Sequence, residues 1–311
     1  MTLISYGDWY ESGRTRTQLE QALAGGRIRR VRRGVLTGVD ETRKVSVAYR
    51  LQIRAASIYL GEQTYFSHFS AAALHGLPLL ARRMKEVTVV RTAGGHGSIH
   101  PTLHARAASL EPCDVCEVDG LPVTSLSRTL ADLARILPFE EAVMLLDAGL
   151  RVGADRPDLL DRTCAGRGCR MAERAITFAD ENAESPGESL SRVRMHEAGL
   201  VMPELQKVIT DPFGQFLGRG DFYWEHTGTV GEFDGQVKYG ELAATEADLS
   251  RIVMAEKGRE QGISDVVEKV VRWTWPELWN HSMVRRLAPV VGYSSSNASV
   301  SVKRHRAGWS V

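Results

Sequence analysis

Hydrophobic positions recur at helical spacing in some stretches of the chain and alternate in strand-like runs in others. In residues 15–25, Leu19, Ala22 and Leu23 fall on one face at i, i+3, i+4 spacing, which predicts a short helix ending at Gly25-Gly26. Residues 44–60 are rich in Ala, Leu and Ile and predict a second helix. Ser67–Pro78 reads as a short capped helix closed by Gly76 and Pro78. Val87–Arg91 and Leu121–Val123 read as extended, with a loop at Gly94-Gly95-His96-Gly97 between them. Ser125 or Ser127 caps a predicted helix over Arg128–Ile136, and Phe139–Leu150 is another. Residues 151–170, with Gly153, Pro157, Gly166 and Gly168, read as loop-like and mark a domain boundary.

From about 171 the order is helix, three strands, helix, strand. The helix is Ser189–Ala198, ending at Gly199. The strands are Glu204–Thr210, Phe216–Trp224 and Val230–Tyr239, followed by a helix over Ala247–Gln261 and a strand at Val267–Trp273. After Pro276 the pattern becomes irregular, and the tail from Ser294, rich in Ser, Asn and Arg, reads as mobile. No internal repeat is present. The fold class predicted is α/β, α+β overall.

A length of 311 residues predicts two or more domains. No apolar run approaches a membrane span, so membrane partners are not expected, and the N-terminus lacks the layout of a signal peptide. Four cysteines in so long a chain argue against a disulfide scaffold and for a reducing cytoplasm. Cys113 and Cys116 have zinc-like spacing, but Cys164 and Cys169 lie far off, and buried or incidental thiols are the better reading. Trp273, Trp275 and Trp279 read as packing residues, and His68 and His75 as cap or core hydrogen-bonding residues.

Net charge is only +1, yet its distribution is lopsided. Residues 1–60 carry eleven Lys/Arg against five Asp/Glu, while residues 176–245 carry five against twelve. The basic part is concentrated in Arg27, Arg29, Arg30, Arg32 and Arg33, interleaved with Ile28 and Val31 and followed by Gly34 and a strand-like Val35-Leu36. Helix, basic stretch and β-turn are the parts of a small winged helix-turn-helix. Such arginines neutralise DNA phosphates without reading sequence, whereas Arg16 and Gln18 on the preceding helix would reach base edges. A solvated or salt-bridged strand is the competing reading.

The acidic part centres on residues 218–238. Asp221, Glu232 and Asp234 sit inside strand-like runs, where acids are normally depleted. By period-two alternation Glu232, Asp234, Gln236 and Lys238 share one face, and Phe233, Val237 and Tyr239 the other. Acids at the centre of a sheet are costly unless compensated, and a divalent cation with a phosphodiester would compensate them. A structural hairpin with exposed acids is the bland alternative.

The order helix–β–β–β–helix–β, with Glu188 ahead of the first helix, Gly220-Asp221-Phe222, Glu232-Phe233-Asp234-Gly235 and Glu256–Glu260, resembles the restriction-endonuclease-like PD-(D/E)XK superfamily, in its Vsr-like branch. The N-terminal half, through Arg32–Val35, Ser67–Ala72, Leu74–Pro78 and Thr124–Ala134, resembles the AbiEi-type antitoxin domain. Together the resemblances cover about residues 14 to 280.

They imply a winged-helix DNA-binding region at 1–80, an α/β extension at 81–168, a nuclease-like domain at 169–290 and a mobile tail at 291–311. Asp221 and Glu232 would hold Mg²⁺ or Mn²⁺, with Glu188 and Asp234 completing the cluster. The family's lysine normally stands two residues after the second acid. Here Asp234 occupies that place, and Lys238, or the spacing Gln236-Val237-Lys238, is the substitute. Arg219, Lys257 and Arg259 would contact phosphate. The implied function is a DNA-binding protein with a metal-dependent endonuclease-like domain, in phage defence or beside a cognate toxin. The alternative is a non-catalytic regulator or antitoxin on a degenerate nuclease fold. Oligomeric state is left open.

Overall fold

The computed structural model describes residues 3–38, 44–92, 97–100, 102–235 and 266–294. It is mixed α/β, α+β overall, with three sheets. The chain divides into two units, Met1–Thr177 and Phe178–Val311. The division falls nine residues beyond the boundary expected at 168.

The first unit opens with β1 (Leu3–Ser5), α1 (Tyr6–Glu11), α2 (Arg16–Ala24), β2 (Ile28–Arg32) and β3 (Val35–Gly38). The three strands form an antiparallel sheet in the order β1-β3-β2. Both helices begin with a reciprocal capping box, Ser5 with Asp8 and Thr15 with Gln18, which satisfies amide groups that helix geometry leaves open. Trp9, Leu19, Ala22 and Leu36 form the core of this head.

The rest of the unit is built on a six-stranded mixed sheet. After α3 (Val45–Ser57) come β4 (Thr64–Phe66), α4 (His68–Leu74), β5 (Val87–Arg91), β6 (Ser98–His100), β7 (Leu103–Ala107), β8 (Val115–Val118) and β9 (Leu121–Thr124). Their order in the sheet is β6-β7-β5-β4-β9-β8. The core joins Tyr49 and Ile53 of α3, Phe66, Leu74, Val89 and Val123. Helices α5 (Leu126–Ala134), α6 (Phe139–Arg151), α7 (Arg156–Thr163) and α8 (Cys169–Phe178) follow.

Helix α7 corrects the reading of 151–170 as loop. Asp155 accepts the Asp158 amide as an N-cap, and Pro157 sits in the first turn, where its missing N–H costs nothing. The proline marks a helix start, not a break. Strands β4, β6, β7 and β8 had no signal strong enough to predict them.

In the second unit α9 (Pro186–Glu197) precedes β10 (Glu204–Thr210), β11 (Phe216–Trp224), β12 (Thr229–Asp234) and β13 (Lys269–Thr274). The sheet order is β10-β11-β12-β13, antiparallel except for the parallel pair β12–β13. Parallel neighbours need a long crossover. Residues 236–265 of the connection between β12 and β13 lie outside the described residues, as does the helix expected at Ala247–Gln261. The chain past Pro276 is not irregular. Thr274 and Glu277 form a capping box with Pro276 in the first turn of α10 (Trp275–Trp279), and α11 (Ser282–Val291) ends at Gly292.

One face of this sheet packs through Phe222, Trp224 and Trp273, all fully buried. The Trp273 indole donates to Ser191 Oγ of α9 at 2.8 Å. Gly231 lies between the two tryptophans, and a Cβ there would stand 2.7 Å from Trp273 and 2.9 Å from Trp224. Only glycine fits.

Candidate nucleic-acid interface and carboxylate cluster

On α2, burial of Leu19 and Ala22 turns Arg16, Thr17, Gln18, Glu20 and Gln21 outward. Arg16 is engaged by Glu20 at 3.0 Å, an exposed i, i+4 pair that solvent screens and that a phosphate could replace. Gln18 is tied down, because its Oε1 accepts the Thr15 amide at 2.8 Å as part of the cap. Thr17 and Gln21 share the exposed face one turn apart. Neither carries a charge that marks it in the sequence, although the i, i+3 spacing of Leu19 and Ala22 implies their orientation.

Strands β2 and β3 form a hairpin closed by Arg33-Gly34, with Gly34 at φ +82°. Its carbonyl accepts the Tyr6 amide at 2.9 Å and the Tyr59 hydroxyl at 3.3 Å, which fixes the tip against α1 and the residues after α3. The register shifts between Arg30 and Arg32. That bulge breaks strict alternation beyond Arg30, and Arg29 and Arg30 are both exposed while Arg32 is half-buried. Arg27 and Arg33 are exposed as well. Arg14 lies 4.6 Å from the Trp9 ring centroid and Arg30 5.9 Å from that of Tyr6, so aromatic faces hold two guanidinium groups at the surface.

The β11–β12 ladder ends at Phe222↔Gly231, and Asp221 and Glu232 are the next residues on each strand. Asp221 Oδ2 accepts the Phe233 amide at 2.9 Å. Glu232 Oε2 accepts Arg272 Nε at 2.6 Å. Asp234 is exposed at the end of β12. Glu188 is buried in the first turn of α9. Its Oε1 accepts the Ser185 hydroxyl at 2.7 Å, and its Oε2 accepts the Glu184 amide at 2.9 Å and Gln206 Nε2 at 2.8 Å. Arg219 is exposed and pairs with Glu184 at 2.7 Å. Gln236, Lys238, Lys257 and Arg259 lie outside the described residues.

Asp221 and Glu232 are thus brought together, and Glu188 is occupied separately. Among the described residues no group of three or more His, Cys, Asp or Glu side chains is placed to hold a metal ion. A guanidinium neutralises Glu232, and hydrogen-bond donors surround Glu188.

Cys113, Cys116 and Cys164 are exposed and Cys169 half-buried, all four as free thiols, so of the two readings, buried or incidental, burial does not hold. His68 is buried, with Nδ1 3.1 Å from Ser67 Oγ, and His75 Nε2 lies 2.8 Å from the Thr124 carbonyl, as the cap or core reading predicts. Trp279 is half-exposed and stacks on Trp275. No helix among the described residues is long and apolar enough to cross a membrane.

No protein-family model matches the chain. Two relatives from Mycobacterium tuberculosis, uncharacterized protein MT2308 of strain CDC 1551 / Oshkosh and uncharacterized protein Rv2248 of strain ATCC 25618 / H37Rv, are each 28% identical over 225 residues, covering 71% of this chain and 78% of theirs. Among solved structures, the crystal structure of RV2827C protein from Mycobacterium tuberculosis is similar with a TM-score of 0.37 and 12% identity, over 68% of this chain and 84% of that one.

Proposed function

We propose that the protein binds duplex DNA through its N-terminal head and acts as a non-catalytic regulator of the antitoxin class. One observation carries this reading. Two capped helices, a turn and an antiparallel hairpin are joined in a β1-β3-β2 sheet, and Arg14, Arg16, Arg27, Arg29, Arg30 and Arg33 project from that unit into solvent. This is the order of parts in a winged helix-turn-helix. In that geometry α2 enters the major groove and offers Arg16, Thr17 and Gln21 to base edges. The arginines of β2 and the hairpin tip lie along the backbone and neutralise phosphate.

In the second unit, the ion pair on Glu232 and the three donors on Glu188 favour a nuclease-like sheet kept for binding. A second reading, a Mg²⁺- or Mn²⁺-dependent endonuclease, is favoured by the adjacency of Asp221 and Glu232. The compartment on either reading is the cytoplasm, in keeping with four free thiols. A toxin encoded alongside is the partner that the antitoxin class implies.

Two assays on the full chain test the proposal. Gel shifts on random-sequence duplex DNA should give salt-dependent binding, and its absence at low salt removes the DNA reading. Plasmid incubation with Mg²⁺ or Mn²⁺ should leave the DNA intact. Cleavage that is lost in Asp221→Ala and Glu232→Ala would instead establish the endonuclease.

A further inference from the structure

Beneath the tip of the β2–β3 hairpin lies a cavity of about 600 Å³, within the size range of small-molecule sites. Its apolar lining includes Val31 and Val87. Its charged lining is Arg32, Arg33 and Lys85, with the Tyr59 phenol beside them and no carboxylate among the described lining residues. The cations come from two separate parts of the fold, the hairpin and the segment leading into β5. Local sequence therefore does not explain their gathering.

Six other arginines of this unit are matched by acids. Arg50 and Arg54 meet Asp119, Arg82 and Arg83 meet Glu141, and Arg128 and Arg162 meet Asp114. Arg32, Arg33 and Lys85 form no ion pair among the described residues. Like charges drawn around one concave, partly apolar space repel one another unless an anion joins them. The phosphate of a ligand would meet the three cations. A flat body would lie along Val31 and Val87 with Tyr59, a residue 57% exposed, as a stacking surface.

The geometry points to a binding site for a small organic phosphate with a flat apolar body, of the nucleoside monophosphate class. Arg33 and Gly34 are also the hairpin tip. Occupancy of the cavity therefore withdraws Arg33 from a DNA phosphate and pulls on the Tyr59–Gly34 hydrogen bond. The site is an effector pocket that weakens DNA binding. The pocket itself is independent of the proposed function, and only its effect on DNA rests on that reading.

Isothermal titration of the full chain with AMP, GMP, CMP and UMP tests it, with adenosine and inorganic phosphate as controls. At least one mononucleotide should bind one-to-one with Kd below about 100 μM. Adenosine and phosphate should bind at least about tenfold more weakly, and Lys85→Ala, an exposed position, should lose about tenfold or more. Failure of all four nucleotides overturns the site. So does phosphate alone binding as tightly, or unchanged affinity in a Lys85→Ala variant whose circular dichroism matches wild type. In gel shifts the saturating nucleotide should lower DNA affinity, and unchanged affinity overturns the coupling. Nucleotide binding by a chain that never shifts DNA would sink the DNA reading while leaving the pocket standing.

Discussion

Arg272 donates from Nε to Glu232 Oε2 at 2.6 Å, and the two residues are direct partners in the parallel ladder of β12 and β13. The sheet thus supplies its own counter-charge to an acid for which the sequence pattern suggested a metal. Glu232 is mostly covered and Arg272 partly exposed, with side-chain exposures of 16% and 41%. Solvent therefore screens the pair only in part, and a coupling of about 1 kcal/mol is expected. A double-mutant cycle with Glu232→Gln and Arg272→Ala, read by urea denaturation, measures it. A coupling indistinguishable from zero would mean that the pair does not anchor Glu232.

Gly231 gives a packing prediction on the opposite face of the same strand. A methyl group at this position would press on Trp273 and Trp224, whose rings are held by Ser191 and by the Val201 carbonyl. Neither ring can yield without losing its hydrogen bond. Gly231→Ala should cost about 1–3 kcal/mol, the usual penalty for overpacking. It should also dull the near-ultraviolet dichroism of the tryptophans. A variant with wild-type thermal midpoint and spectrum would refute the account of this interface.

For the head, the prediction concerns salt. Each phosphate contact contributes roughly 0.9 to the slope of log affinity against log salt. Replacing Arg29, Arg30 and Arg33 together by Ala should therefore flatten that slope by about 2 to 3. Replacing Gln21 by Ala should leave the slope alone and reduce discrimination between DNA sequences. An unchanged slope in the triple variant would exclude the hairpin from the interface.

Elements are legible in the sequence where period and punctuation agree. Glu204–Thr210 and Phe216–Trp224 were placed residue for residue, because polar turns bracket alternating runs. Elements are not legible where a proline that starts a helix resembles one that breaks it. Pro157 and Pro276 both stand in first helical turns, and the caps at Asp155 and Thr274 were the overlooked signals. The candidate site was legible only as chemistry. That Asp221 and Glu232 would be neighbours follows from counting back from a short turn. That Arg272 would reach Glu232 does not, since the register of a parallel pair depends on a crossover and leaves no local trace. Gln18 shows the same limit, because its role in the capping box competes with the base contact assigned to it.

His68 yields a prediction about acid. It begins α4 at φ +47°, a left-handed conformation uncommon outside glycine, and its ring is buried. Burial lowers its pKa from 6.5 to about 4; Asp132 pulls the other way, while Arg106, Arg128 and His104 add to the depression. The unfolded chain therefore binds a proton that the folded chain refuses between those two values. Stability from this group is complete above about pH 6.5, falls as pH drops through the window, and levels off below about 4. The slope approaches roughly 1.4 kcal/mol per pH unit, for a total on the order of 3 kcal/mol. Asn tolerates the left-handed backbone and does not titrate, so His68→Asn isolates the effect. Its stability deficit relative to wild type, measured by urea titration at several pH values, should shrink steadily from pH 6.5 to pH 4. A deficit constant across that range would mean that His68 is already protonated, or already exposed, in the folded protein.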